Sequence, residues 1–260
     1  MLDAAVAASG VILDVYARPI AAVHKSDGSP VTEADERAEA VILERLAETG
    51  VPVLAEESVA AGRLPILDGS LFIVDPLDGT KEFLKRNGEF TVNIALVEDG
   101  RPTIGVVIAP ATGLVFAGSP GGAFAGTIRN AAVTDRRPIR VEPEGPIRIV
   151  ASRSHGHDAL AQLCQTMEVE EDVSVGSSLK FCLLAQGKAQ LYPRFTPTME
   201  WDTAAGQAVL EAAGGAVVDL EGAPLRYGNA ERSFLNPFFA AAASLSLAEA
   251  TAAEMRRLIG

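Results

Sequence analysis

Residues 73–80 read Ile73-Val74-Asp75-Pro76-Leu77-Asp78-Gly79-Thr80. The apolar, β-branched run at 71–74 is the pattern of a buried strand, and Asp75 ends it. Pro76 has no amide hydrogen with which to continue a ladder, and Asp78-Gly79 is a turn pair. Two carboxylates and a hydroxyl are therefore expected to project from the carboxyl end of a buried strand, where α/β folds bind ligands.

Upstream, another short apolar run at 53–55 ends in Glu56-Glu57, and downstream Trp201-Asp202-Thr203 puts Asp202 at a helix start. Each feature has a plain structural reading. Asp78-Gly79 alone is a turn, Asp202 alone an N-cap, and Glu56-Glu57 alone a solvated loop. What they share is position, since the Glu pair and Asp75 each terminate an apolar strand. If those strands are neighbours, the carboxylates converge, and converging carboxylates need protons or cations. Carboxylate, carbonyl and water oxygens suit Mg²⁺, Mn²⁺ or Ca²⁺. Softer ligands are scarce: three histidines and two cysteines, with only the weak His155-x-His157 spacing.

Outward from this centre, helices are expected at 2–18, stopped by Pro19, and at 33–48, capped by Thr32 and ended near Gly50. Strands are expected at 51–55, 90–97, 103–108, 114–118 and 123–127, with Asp99-Gly100 as a hairpin turn. The Pro- and Gly-containing stretch at 141–146 is the best boundary, dividing 1–145 (a metal-binding α+β part) from 146–260 (an α/β part closing the substrate site). Beyond it, strands at 147–151, 189–192, 216–219 and 237–242 alternate with helices at 158–167, 177–186, 202–213 and 248–258. Two sheets layered with helices is the coarse architecture.

Composition sets the limits. The chain has 260 residues, 48 % of them apolar, enough to bury a large core and too many for a disordered chain. With 22 basic and 34 acidic residues the formal charge is −12, which argues against nucleic-acid binding. Cys164 and Cys182 lie in apolar stretches and read as buried free thiols. The N-terminus lacks the basic stretch of a signal peptide, and no apolar run approaches the ~20 residues of a bilayer span. A cytoplasmic protein without membrane insertion is expected.

The Asp-Pro-Leu-Asp-Gly-Thr motif, preceded by the Glu-Glu pair and followed by Trp-Asp, resembles the inositol monophosphatase superfamily of Mg²⁺-dependent, Li⁺-sensitive phosphomonoesterases. The resemblance covers almost the whole chain. Its most telling blocks are DPLDGTKEFLKRNGEFTVNIAL (75–96), SRSH (152–155), GSSLKFCL (176–183), LYPRF (191–195) and WDTAAG (201–206). The Lys81-Glu82-Phe83 continuation and the SRSH and GSSLKF blocks are most similar to the bacterial 3′(2′),5′-bisphosphate nucleotidases of the CysQ type.

That resemblance implies a layered α/β/α/β/α sandwich, monomeric or homodimeric, that acts on a small-molecule bisphosphate nucleotide. It implies that Glu56, Asp75 and the Leu77 carbonyl hold one Mg²⁺, and that Asp75, Asp78 and Asp202 hold a second. A third, weaker ion binds near the Glu pair in some members, and Glu57 supports the site. The Gly79 and Thr80 amides would receive phosphate oxygens. Asp35 and Thr80 would form a proton relay, although Thr32 and Asp35 also have capping-box spacing, and the two roles are compatible. Ser152, His155, Gly176 and Lys180 match nucleotide contacts, Asp202 the ribose side, and Arg194 is a candidate for the non-scissile phosphate. Lys25 is either a solvated loop lysine or a group that approaches the phosphate, and Trp201 either stacks a base or packs in the core. The implied reaction is hydrolysis of 3′-phosphoadenosine 5′-phosphate to AMP and phosphate in support of sulfate assimilation. The alternatives are an inositol or sugar monophosphate phosphatase with the same metals, and a non-catalytic nucleotide and metal sensor.

Overall fold

In the computed structural model, which describes residues 1–20, 22–24, 30–151 and 158–260, the Asp75 run lies in the second strand of a seven-stranded sheet. The chain opens with helix α1 (Leu2–Tyr16), two short antiparallel strands β1 (Ala22–His24) and β2 (Pro30–Thr32), and helix α2 (Glu33–Ala47). Strand β3 (Val53–Ala55), helix α3 (Glu56–Ala60), strand β4 (Ser70–Asp78) and helix α4 (Thr80–Leu84) follow. A meander of β5 (Thr91–Glu98), β6 (Arg101–Ala109), β7 (Leu114–Ser119), β8 (Gly122–Arg129) and β9 (Ala132–Ile139) completes the sheet in the order β3-β4-β5-β6-β7-β8-β9. Only the β3–β4 pair in it is parallel.

The second half contains β10 (Arg148–Ala151), α5 (Asp158–Thr166), β11 (Glu171–Ser174), α6 (Leu179–Ala185) and β12 (Leu191–Arg194). After a 3₁₀ turn (Glu200–Asp202) come α7 (Ala204–Ala212), β13 (Ala216–Asp219), a second 3₁₀ turn (Ala230–Arg232), β14 (Phe239–Ala242) and α8 (Leu245–Ile259). Its sheet runs β11-β10-β12-β14-β13.

Three apolar cores stack these elements into five layers. Ile12, Ile42 and Leu46 of α1 and α2 pack on Phe72, Val74 and Ile94 of the large sheet. Leu71, Ile73 and Val107 on its other face meet Phe181 and Val209 of α6 and α7, which also cover Tyr192 and Phe239 of the small sheet. Leu163, Ala252 and Met255 of α5 and α8 close the small sheet's outer face against Ile149, Leu191 and Ala240. The order is thus α/β/α/β/α, as the resemblance implied. Because β4 is covered on both faces, it reads as a continuous apolar run rather than an alternating one.

Several local expectations differ. Pro76 does not end the strand: pairing lapses after Asp75↔Asn93 and resumes at Asp78↔Thr91, so the proline sits in an irregularity where its missing amide costs nothing. Glu56-Glu57 forms the first turn of α3 and is not a loop. Asp202 ends a 3₁₀ turn ahead of α7. Strands β9 and β11 had no apolar signal to announce them. Cys164 and Cys182 are free, and burial pushes the Cys182 thiol up. Among the described residues no helix is long and apolar enough to cross a membrane.

Candidate active site

The irregular end of β4 builds the centre. The Leu77 amide folds back to donate to Asp75 Oδ1 at 2.9 Å, fixing a carboxylate that is only 1 % exposed. Gly79 follows at φ +92°, a left-handed conformation in which a Cβ would stand 3.1 Å from the Glu89 carbonyl, so glycine is required there. The chain then enters α4 at Thr80. The second half brings Asp202 to the same place, where Asp75, Asp78 and Asp202 each offer a carboxylate oxygen within 4.8 Å of the others.

A serine fastens the two halves. The Ser178 amide donates to Asp78 Oδ2 at 2.7 Å, and its hydroxyl donates to the Asp202 carbonyl at 2.7 Å. Asn93 on β5 donates to that hydroxyl at 2.9 Å. Ser178 therefore does not cap α6 with its side chain. Asp202 itself accepts the Met199 amide at 2.9 Å.

Asp35 makes both of its expected contacts at once. Its Oδ2 accepts the Thr32 amide (2.8 Å) and hydroxyl (2.7 Å), and its Oδ1 accepts the Thr80 hydroxyl at 3.1 Å. The Thr80 hydroxyl also lies 3.4 Å from the Leu77 carbonyl, the weaker of its two acceptors.

Electrostatics mark this centre as strained. Burial, then the charges of Glu56, Asp78, Asp202 and Asp35, pushes the Asp75 carboxyl well above the usual carboxylate range. Burial, then Asp78, also raises Asp202. Burial raises Asp35 against the hydrogen bonds from Thr32 and Thr80. Glu56 stands outside the close trio but contributes to the field on Asp75 and Asp202. The donors are hard oxygens of carboxylates and a nearby carbonyl, a set that fits Mg²⁺ or Mn²⁺ and relieves this repulsion when filled.

Beside the carboxylates opens a cleft of about 380 Å³ lined by Asp78, Gly79, Gly176, Lys180, Arg194 and Asp202, all expected site residues. Lys81, Glu82, Ser177, Tyr192 and Thr203, not foreseen, line it too. Lys180 is buried, donates to the Ser177 carbonyl at 2.8 Å and sits 5.5 Å over the Tyr192 ring. Burial lowers its pKa to about 8. Arg194 is braced by the Thr196 and Pro197 carbonyls. The Gly176 amide is engaged by Glu89 Oε2 at 3.0 Å. A larger cavity, about 780 Å³, lies by Gly122, Arg137 and Ala213, but the carboxylate trio does not line it. Trp201 is buried against Phe234, which leaves it to the core. Lys25, Ser152 and His155 lie outside the described residues.

Two buried residues escaped the sequence reading. Glu200 accepts the Gly228 and Asn229 amides. Glu39, 3 % exposed, accepts the Glu57 amide at 2.8 Å and the Ser58 hydroxyl at 2.7 Å. A signal for Glu39 existed: with Asp35, Ile42 and Leu46 it continues a stripe at helical spacing, so a carboxylate stands where the core face runs.

Residues 2–259 match the sequence pattern of the Inositol monophosphatase family. The 3′(2′),5′-bisphosphate nucleotidase CysQ of Salmonella typhimurium is 48 % identical over 236 residues, covering 89 % of this chain and 94 % of that protein. Its Escherichia coli K12 counterpart is 47 % identical over the same shares. Among solved structures, CysQ from Bacteroides thetaiotaomicron superposes with a TM-score of 0.77 at 39 % identity, covering 92 % of this chain and 94 % of that one. An inositol monophosphatase from Anabaena gives 0.73 at 26 % identity, covering 98 % and 92 %.

Proposed function

The chain belongs to the inositol monophosphatase family, and on that premise we propose that it is a Mg²⁺-dependent 3′(2′),5′-bisphosphate nucleotidase that hydrolyses 3′-phosphoadenosine 5′-phosphate to AMP and phosphate. The observation that carries the choice of substrate is the cleft. It is lined both by Asp78 and Asp202 of the carboxylate trio and by the cations Lys180 and Arg194, which suits a metal-held phosphate together with a second anion. An inositol monophosphate has no second phosphate to engage those cations.

Glu56, Asp75 and the Leu77 carbonyl would hold one ion, and Asp75, Asp78 and Asp202 the other, with Asp75 shared. When bound, the two ions supply positive charge that acidifies an attacking water and neutralises the leaving ester oxygen. The Thr80 hydroxyl, aimed at Asp35 Oδ1, orients that water and passes its proton to the carboxylate. The raised affinity of Asp35 for a proton, caused by burial, suits it to accept one. The Gly79 and Thr80 amides take oxygens of the scissile phosphate. Lys180 and Arg194, together with Ser152, His155 and Gly176, take the nucleotide, whose ribose lies by Asp202. The 1–145 and 146–260 parts close on the substrate from either side. In the cytoplasm this activity removes the by-product of sulfate transfer and reduction, which would otherwise inhibit those steps.

Phosphate release is measured from 3′-phosphoadenosine 5′-phosphate and from inositol 1-phosphate, each with Mg²⁺ and then with added Li⁺. The expected result is a strong preference for the nucleotide, AMP as product and inhibition by Li⁺. A preference for inositol 1-phosphate would overturn the substrate assignment and keep the metal site.

A further inference from the structure

Helix α3 carries Glu56 and Glu57 in its first turn, yet it has five residues and begins after Ala55, whose side chain caps nothing. A helix this short does not hold itself together, and its first amides need acceptors from elsewhere. The neighbouring α2 supplies one. Glu39 Oε2 accepts the Glu57 amide at 2.8 Å, and Oε1 accepts the Ser58 hydroxyl at 2.7 Å. Both oxygens are thus spent on the first turn of α3, inside a site where Glu39 is almost fully covered. Ser58 is held in addition by Arg63, 3.2 Å from its hydroxyl.

The same helix serves the other side of the centre. Asp35 lies one turn before Glu39 on α2 and receives the Thr80 hydroxyl from α4. One rigid helix therefore sets the spacing between the Thr80 relay and the backbone that bears Glu56.

We infer that Glu39 is a positioning residue, which imports a cap from α2 to α3 and so fixes where Glu56 can meet a divalent ion. This rests on the metal-dependent reading above. Glu39 acts through reach: its two oxygens fix the α3 backbone, and Glu56 follows. A carboxylate acting only as a distant negative charge would behave differently, and so would one that only adds stability.

Two variants separate these roles. Glu39→Gln keeps the length, with its carbonyl still able to accept the Glu57 amide and its NH₂ able to donate to the Ser58 hydroxyl. Glu39→Asp keeps the charge but is one methylene too short to reach. Mn²⁺ binding to the metal-free proteins is titrated by electron paramagnetic resonance, and unfolding temperature is followed in parallel. The expected result is that Glu39→Asp weakens Mn²⁺ binding about tenfold or more, the scale of lost support behind a ligand, and that Glu39→Gln weakens it less. In assays the Mg²⁺ concentration for half-maximal rate should rise in the same order, with kcat at saturating Mg²⁺ changed far less. The reverse order, with Glu39→Gln the weaker binder, would replace positioning by a charge effect. Unchanged Mn²⁺ affinity in both, with or without a lower unfolding temperature, would leave Glu39 a structural residue and overturn the inference. Failure of the wild-type protein to bind Mn²⁺ would instead remove the metal-dependent reading beneath it.

Discussion

At Asp35 one carboxylate does two jobs through two oxygens, and the jobs can be separated. Oδ2 closes the capping box of α2 with Thr32, and Oδ1 receives Thr80. Thr80→Val removes the second contact, along with the weaker one to the Leu77 carbonyl, and leaves the capping box in place. It should lower kcat by about 10²–10⁴, the usual worth of a positioned proton acceptor, and leave the unfolding temperature nearly unchanged. Thr32→Val removes the cap instead and should cost about 1 kcal/mol of stability while keeping most of kcat. Steady-state assays and thermal melts on both variants check the pair. Equal losses of kcat would deny Thr80 its special place. The local half of this arrangement was readable, because Thr32 and Asp35 are three residues apart. The other half was not: Thr80 lies 45 residues away, and nothing local in either stretch announces the contact. It entered the sequence reading through family resemblance alone.

Among the elements, α7 shows how a helix and a sheet fix the position of Asp202, a carboxylate proposed to bind metal. The paired glycines Gly105 and Gly118 on β6 and β7 let α7 lie directly on the sheet. A Cβ at Gly105 would collide with the Ala205 carbonyl, and one at Gly118 would come within 2.7 Å of the Ala208 carbonyl and Val209 Cα. These contacts are with backbone, which cannot swing aside. Gly118→Ala should therefore destabilise the protein by about 1–3 kcal/mol. It should also weaken Mg²⁺-dependent activity, because the 3₁₀ turn bearing Asp202 leads straight into α7. Denaturant melts and Mg²⁺ titrations of the rate test this, and a variant as stable as wild type would show that the sheet yields. Long apolar elements such as α1, α2, β4 and β5 were legible because both composition and period pointed one way. The edge strand β9 was not, since Asp135-Arg136-Arg137-Pro138 reads as a polar loop. Charges and proline are what an unpaired edge uses to avoid pairing with another chain, so the features that hide the strand are those that protect it. Strand β11 (Glu171–Ser174) is hidden for the same reason, at the edge of the small sheet.

The whole molecule assembles its acidic centre across two halves, and that has a cost that shows in stability. The chain pattern indicated two sheets with helices, but the five-layer order depends on contacts such as those of α7 with β6 that no local period encodes. Folding presses Asp75, Asp78 and Asp202 together, with Ser178 and the Glu89–Gly176 bond fastening one half to the other. Asp75, Asp202 and Asp35 all hold protons more tightly when folded than when unfolded. For a carboxyl with a raised folded pKa, the folded state binds the extra proton, so stability falls as pH rises above the ordinary carboxylate range of about 4. Metal-free protein should consequently unfold at lower temperature as pH rises from about 5 to about 7.5. Lys180, lowered to about 8, titrates above that window and in the opposite sense, so the scan ends before it contributes. Saturating Mg²⁺ should raise the unfolding temperature most at the upper end of the range and flatten the slope, because the ion replaces the protons. Asp75→Asn should flatten the metal-free slope by removing the central charge, and it should gain less from Mg²⁺. Differential scanning fluorimetry in chelator, with and without excess Mg²⁺, decides the matter. A metal-free unfolding temperature that is flat or rises over this range would mean that the crowded carboxylates are relieved by something other than protons or a divalent ion.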